Sequence, residues 1–559
     1  MERERDGREE RDEQGLIWFI WSVLSIWLVS FNQTNQTNQI NKRDQPVLAL
    51  HAARSVAARL YIMVVVTGVA FLLQGCMMGP DYKRPETPQA DSWRVSPATS
   101  ESMANLPWWE LLKDETLQQL IRTALLENLD LQIATANIDQ FQAQLTTAKF
   151  DLIPSFSYEG SAFGFRNTNT SAFPIGGGAV PGSQRNGLSL NKESIGVGLK
   201  WELDVWGRIR RSIEAARAQL LSKQENQRVV ILTLVSGVAE SYFDLRALDL
   251  QIDIAKRTLK AWAESVRISK LRYQQGDIPK LDLDRFVAER AGAAAQLADL
   301  ERQVVVRENQ ISVLLGHKPS AIPRGRLLTE QPMPPDVPPG LPSELLQRRP
   351  DIMKAEQDLM AASATIGVAQ ALRFPQLSLT GDISANSLTV DSTSSKPFAT
   401  FKGQASLTGP IFNASALGYQ VKAAEAQGNQ AIGQYLKTIL QAFQEVEDSL
   451  ITVQKTREQR EALEEQVEAL QSALRLADLR YQGGRANYLD VLTAQRALFD
   501  AELSLARTRR NQLVSVVQLY KALGGGWSSG PAGPGQATEG MRGESAKPVE
   551  SYTVKSVDR

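Results

Sequence analysis

Along residues 195–205 apolar and polar positions alternate. Ile195, Val197, Leu199, Trp201, Leu203 and Val205 fall on one side, and Gly196, Gly198, Lys200, Glu202 and Asp204 on the other. Leu377, Leu379 and Ile383 alternate in the same way with Ser378, Thr380 and Asp382. Period two predicts strands. Elsewhere the period changes: Ala255, Leu259, Trp262, Val266, Ser269 and Tyr273 step by four and three, and Leu463, Val467, Leu470, Leu474, Ala477 and Tyr481 repeat the stripe. That is the spacing of a coiled coil. From Arg208 to Gln274 only Gly237 interrupts helix-favouring residues, a run of about 67 residues and on the order of 100 Å at roughly 1.5 Å per residue. Globular helices average about 11 or 12 residues, so this one does not fold around a compact core.

The chain is written twice. Arg272-Tyr273-Gln274 with Gly276 returns as Arg480-Tyr481-Gln482 with Gly484, Leu281-Asp282 as Leu489-Asp490, and Leu315-Gly316 as Leu523-Gly524, all at an offset of 208. Asp130, Pro154 and Gly160 match Asp351, Pro375 and Gly381 at 221. The difference of 13 assigns extra residues to the Gly/Ser/Asn/Pro-rich segment 167–191 of the first copy, a loop tip where insertion costs little. Each copy reads helix, two strands, long helix, turn, helix. The first occupies 114–316, with strands near 152–166 and 192–205 and a hairpin over 208–316; the second occupies 343–524, with strands near 375–386 and 400–412 and a hairpin over 415–523. The Pro-rich stretch in 317–342 links them, and the Gly/Ser-rich tail 525–559 reads as disordered.

Alternating strands suit a wall with lipid on one side and a wet lumen on the other; an ordinary half-buried sheet would alternate too. Four strands in lipid leave edge N–H and C=O groups unpaired, at several kcal/mol each. The sheet must therefore close with further copies, and three chains give twelve strands, an even number sufficient for an open barrel.

Composition narrows the function. Acidic and basic residues balance at 62 each, so no large field invites nucleic acid. The single cysteine, Cys76, rules out intramolecular disulfides and Cys-rich metal cages. With only His51 and His317 in the chain, no triad or zinc site is legible, and His317 reads as a helix-end loop residue. Glu202 and Asp204 beside Trp201 and Trp206 line a lumen rather than do acid/base work. The chain is not expected to be an enzyme, and no cofactor is expected.

Residues 54–75 have the anatomy of a secretory signal: Arg54 and Arg59, an apolar stretch from Leu60 to Leu73, then Leu73-Gln74-Gly75-Cys76. The last four resemble a bacterial lipobox, with Gln74 departing from the usual small or aliphatic residue. Covalent diacylglycerol and palmitate are expected at Cys76. Met77 follows it where an inner-membrane retention Asp would stand, which points to the outer membrane. Residues 1–53 carry a second apolar run, Leu16–Val29, short for a membrane span, and the Asn32-Gln33-Thr34 repeat; they read as an extension upstream of the true start. The segment 76–113 is expected to be an anchor and periplasmic girdle.

Several motifs together resemble the TolC-like outer membrane factors of lipoprotein, RND-efflux type. These are Cys76-Met77-Met78-Gly79-Pro80-Asp81-Tyr82; Trp108-Trp109 with Asn128-Leu129-Asp130-Leu131; Trp201-Glu202-Leu203-Asp204-Val205-Trp206-Gly207-Arg208; the inter-repeat stretch from Gly340 to Ile352; Gly409-Pro410-Ile411-Phe412; and the stretch from Tyr488 to Arg496. The resemblance runs from Cys76 to about Gly526. It implies a mainly α protein with a small β-barrel contribution: a homotrimer whose twelve-stranded outer-membrane barrel continues into a twelve-helix periplasmic tunnel. Such ducts work with a periplasmic adaptor and an inner-membrane RND-type pump, and pass drugs or other amphiphiles; a heavy-metal or type I secretion channel is the alternative. The resemblance implies a periplasmic gate at Leu489, Asp490, Thr493 and Arg496, Thr493 standing where many relatives carry an acid. Asp282, Asp284 and Arg285 are expected to brace the neighbouring hairpin. The tips Arg272, Tyr273, Gly276, Arg480, Tyr481 and Gly484 would meet the adaptor.

Overall fold

The computed structural model describes residues 77–87, 93–94, 109, 113–166, 189–332, 342, 345–390, 393–394, 396–412, 414–483, 485 and 488–525. The leader, Cys76, most of the 167–191 loop, Gly484 and the tail beyond 525 lie outside the described residues. The elements in chain order are α1 (Glu115–Glu127), α2 (Leu129–Phe150), β1 (Ser155–Arg166), β2 (Ser189–Leu203), α3 (Arg208–Gln275), α4 (Lys280–Leu314), α5 (Leu345–Arg348), α6 (Pro350–Ala371), β3 (Gln376–Val390), β4 (Thr393–Ser394), β5 (Phe398–Thr408), α7 (Ala414–Gln482) and α8 (Tyr488–Ala522). The duplicated hairpins are α3–α4 and α7–α8, with long arms of 68 and 69 residues. Among the described residues no helix is long and apolar enough to cross a membrane.

The expected stripes are the seams of these hairpins. Ala255 packs with Leu248 and Leu300, Trp262 with Phe286 and Ala293, and Val467 with Ala501 and Leu505. The largest core lies midway along α3, where Val238, Tyr242, Phe243 and Leu245 meet Leu117 and Ile121 of α1, Ile311 of α4 and Leu513 and Val517 of α8. Inside it the Tyr242 hydroxyl donates to Asp114 at 2.8 Å, and burial followed by this bond pushes the phenol pKa up.

What reads as one first helix in each copy is broken, and the break is duplicated. Asn128 ends α1 and caps α2, its Oδ1 accepting from the Leu131 amide at 3.0 Å. Arg349 stands 221 residues later, between α5 and α6. Each side chain donates to the final carbonyl of the returning hairpin arm: Asn128 to Leu314 at 2.9 Å, Arg349 to Ala522 at 2.8 Å. Leu314 and Ala522 are themselves related by 208. The joint is thus inherited as a contact between chemically different residues, which hides it from a search for identities. Arg349 also holds Asp351 (2.7 Å) and Glu445 (2.6 Å), whereas His317 meets Glu127 at 2.8 Å beside the first joint.

The long strands are antiparallel in the order β1-β2-β3-β5, and the two-residue β4 pairs the end of β3, an addition to the four strands expected. β2 stops at Leu203, short of the expected 205, because Asp204 is a helix cap and not a lumen residue: its carboxylate accepts from the amides of Ile209 at 3.0 Å and Arg210 at 2.9 Å. Gly207 completes the turn at φ +73°, a left-handed conformation natural only to glycine. β5 stops at Thr408, ahead of Pro410, which has no amide to donate.

Candidate functional site

The registers β1–β2, β2–β3 and β3–β5 run without a bulge, so directly opposed residues share a face throughout the sheet. One face carries Phe156 and Tyr158, then Ile195, Val197, Leu199 and Trp201, then Leu377, Leu379 and Ile383, then Phe401 and Leu407. Tyr158, Ile195, Ile383 and Phe401 are all exposed on it. The opposite face carries Ser157, Glu159, Lys200, Glu202, Thr380, Asp382, Lys402 and Gln404. Its polar side chains bond among themselves: Asn386 reaches Thr400 at 2.9 Å, and Ser378 reaches Ser406 at 2.7 Å. The apolar stretch of β2, Ile195 to Leu203, has the length of a tilted membrane strand. Trp206 stacks on Phe374 with centroids 4.8 Å apart where the strands give way to helices, the position of an interfacial aromatic belt. β1 and β5 pair on one side only among the described residues.

At the far end, each hairpin turns through a glycine or polar tip. Gly276 has φ +81°, and its neighbour Asp277 donates back to Arg272 at 2.9 Å, a helix C-cap that requires positive φ. Arg485 donates likewise to Arg480 at 2.8 Å. Tyr273 is exposed.

The two tips are tied together by residues the sequence reading did not single out. Trp262, Phe286, Tyr488 and Tyr481 form an aromatic ladder, with Phe286–Tyr488 centroids at 4.5 Å and Tyr488–Tyr481 at 4.6 Å. The Tyr488 hydroxyl donates to Ser265 Oγ at 3.0 Å. Burial pushes the Tyr488 phenol pKa up, which keeps the donor protonated. Arg272 donates to the Tyr481 hydroxyl and lies over its ring, 5.6 Å from the centroid. Two of these residues, Arg272 and Tyr481, were expected to face outward to a partner, yet they engage each other. The missed signal was the concentration of aromatics around both turns; the duplication concealed it, because Tyr488 corresponds to Lys280 and Phe286 to Ala494.

The gate candidates sit beside this tie. Leu489, Thr493 and Arg496 form one exposed stripe of α8, with Asp490 exposed next to it. The Thr493 hydroxyl donates to the Leu489 carbonyl of its own helix at 2.8 Å. Arg496 approaches Glu289 of the other hairpin at 3.7 Å. Asp282 and Arg285 pair along their own helix at 3.4 Å and share a small cleft with Phe286, Tyr488, Leu489 and Leu492. Asp284 is exposed.

A sheet with one lipid-compatible and one wet face, continued by two hairpins of tunnel-wall length, defines a protomer of a membrane duct. The model of the outer membrane efflux protein family matches residues 120–317 and 341–525, and the chain belongs to that family. The probable efflux pump outer membrane protein TtgC of Pseudomonas putida is 36% identical over 464 residues, covering 82% of this chain and 94% of that one. The cation efflux system protein CusC of Escherichia coli strain K12 is 31% identical over 464 residues, 82% of this chain and 98% of that one. The structure of the open state of the Neisseria gonorrhoeae MtrE outer membrane channel matches with a TM-score of 0.70 at 28% identity, over 81% of this chain and 99% of that one.

Proposed function

We propose that three copies of this chain close their sheets into one outer-membrane barrel and form the passive exit duct of a tripartite efflux system. A periplasmic adaptor and an inner-membrane RND-type pump supply opening and energy, and the duct itself catalyses nothing. The observation that carries the reading is the two-faced sheet with two open edges. β1 and β5 offer 12 and 11 residues of edge backbone, and unpaired groups in lipid cost several kcal/mol each, on the order of tens of kcal/mol in all. Pairing β1 of one copy with β5 of the next removes that cost. In the assembled duct Leu489, Asp490, Thr493 and Arg496 face the narrow end, with Asp282, Asp284 and Arg285 at its rim. Purified protein in a planar bilayer is expected to give discrete conductance steps and to crosslink as a trimer; monomers without conductance overturn the reading.

Small amphiphiles are the cargo this reading favours, in line with the greater identity to TtgC. The likeness to CusC supports a cation duct instead. Deleting the gene should sensitise cells to solvents, dyes and antibiotics, and sensitivity confined to copper or silver decides for the cation duct.

Lipid anchoring at Cys76 is part of the proposal. Its support is the seating of the next two residues: the Met78 amide donates to the Trp206 carbonyl at 3.1 Å, and Met77 lies against Gly207 so closely that an added Cβ would come within 3.0 Å of it. This is the level at which β2 leaves the membrane, where acyl chains on the preceding residue would enter the leaflet. Cys76→Ser is expected to abolish palmitate labelling while leaving the trimer in the membrane, since the barrel alone holds it there. Persistent label refutes the anchor.

The tips are proposed to meet the adaptor. Replacing Gly276 and Gly484 together by Val is expected to abolish drug resistance with trimer levels unchanged, because a bulky side chain at Gly276 strains a left-handed turn by about 1–2 kcal/mol and crowds the docking tip. Normal resistance in that double variant sinks this assignment.

A further inference from the structure

The alternation that separates lipid face from lumen face reverses near the end of the sheet remote from the helices. Up to Ile195 and Ala385 the lipid face is apolar. Beyond them the same face carries Glu193, Asn191, Ser387, Thr389 and Arg166. On the lumen face the change is opposite: after Asp382, Ser384 and Asn386 come Leu388 and Val390, opposed by Lys192 and Leu190 of β2 and by Phe163 and Phe165 of β1. Phe398 opens β5 on the same face, opposite Asn386. No bulge occurs in these registers, so the reversal is in the residues and not in the pleat. On the outward side it marks the end of the apolar membrane band, where polar residues meet headgroups and water. On the inward side that explanation does not apply. Water fills the lumen at this level as it does deeper in, yet Phe163, Phe165 and Phe398 remain 57%, 46% and 48% exposed within the chain. A wet pore lined by polar side chains would continue its Ser, Thr and Lys pattern to the rim.

We infer that Phe163, Phe165, Leu190, Leu388, Val390 and Phe398 form an apolar collar around the outer mouth of the lumen. The inference rests on the closed-barrel reading above, which brings three copies of each residue around one axis. An apolar constriction sheds water and so opposes the passage of charged and strongly hydrated solutes. Amphiphilic solutes wet it with their own apolar surface, and their burial against the collar offsets lost hydration at about 25 cal/mol per Å². The collar is a one-way advantage for an efflux duct: it impedes polar solutes arriving from outside and lets amphiphiles leave.

Labelling from outside intact cells tests the collar without involving the periplasmic end. Lys402→Cys places a reporter thiol on the lumen face below the collar, in a chain whose one native cysteine is Cys76. The probes are a charged maleimide too large for general porins and an uncharged maleimide of the same size. Replacing the collar by Phe163→Ser, Phe165→Ser and Leu388→Ser is expected to speed charged labelling of the reporter about tenfold and to change uncharged labelling less than about twofold. Equal charged rates with the collar present and replaced, at equal trimer levels, overturn the inference. If the triple variant lowers trimer levels, Leu388→Ser alone is compared, with a smaller change of the same sign expected. An Ile195→Cys reporter on the opposite face separates the two readings: if it labels as fast as Lys402→Cys, the closed barrel fails, whereas a shielded Ile195→Cys with collar-independent rates condemns the collar only.

Discussion

Replacing Arg272 and Tyr488 together by Ala is expected to raise the time-averaged bilayer conductance of the purified trimer and to make cells sensitive to large hydrophilic antibiotics that the intact duct excludes. The tie between the hairpin tips consists of the Tyr488–Ser265 hydrogen bond, the Arg272–Tyr481 contact and the stacking of Tyr488 on Phe286 and Tyr481. A hydrogen bond contributes about 1 kcal/mol net, an aromatic pair about 0.5–1.5 kcal/mol, and an exposed cation–π contact about 0.5–1 kcal/mol. Together they amount to about 3 kcal/mol per protomer, a factor on the order of a hundred in a closed-to-open ratio. Tyr488→Phe is the internal control. It keeps both ring contacts and loses only the bond to Ser265, so it should shift the ratio about fivefold. If the double variant and Tyr488→Phe conduct alike, the aromatic ladder does not hold the gate. Replacing the exposed stripe instead, by Asp490→Asn or Arg496→Gln, should change ion selectivity more than opening, because charge at a narrow mouth sets which ions enter.

The separation of roles near the tips shows what a single sequence reveals and what it conceals. The seams of the hairpins were legible because coiled-coil packing imposes a period, and Ala255, Trp262 and Val467 carry that period in their burial. The duplication was legible because Gly276 with Tyr273, and Gly316 with Leu315, recur as identities. Its consequences were less visible. Asn128 and Arg349 do the same work at the two joints through unlike side chains, and the tie at the tips depends on residues that differ between copies, Tyr488 against Lys280. Identity marks where backbone conformation is constrained; an asymmetric function such as joining one hairpin to the other is written in the differences. The lumen reversal escaped for another reason. Residues 189–191 read as loop from their Ser and Asn content, whereas pairing to β1 and β3 carries β2 back to Ser189, so the apolar rim became visible only once the register was known.

The assignment of faces leads to the strongest expected effect. Ile383→Arg should abolish membrane-inserted trimer, whereas Thr380→Arg, three residues away in the same strand, should leave the trimer intact and alter only its conductance and selectivity. Ile383 lies within the apolar band, in one row with Val197 and Phe401, and a lipid-facing Arg near the midplane of a membrane barrel costs about 2–4 kcal/mol. Closure repeats that cost in every protomer, so the assembled barrel loses on the order of 6–12 kcal/mol, comparable to the whole stability of an ordinary domain. Thr380 opposes Lys200 and Gln404 on the other face, where a guanidinium remains in water and meets no such cost. An ordinary half-buried sheet in water would rank the two substitutions differently: Ile383 is exposed there, and Arg at an exposed strand position changes stability by only about 0.5 kcal/mol. Heat-resistant trimer in isolated outer membranes, measured for both variants side by side, therefore decides between lipid and water as the solvent of this face. Equal trimer levels in the two would mean that the apolar face never meets lipid, and the barrel reading would go with it.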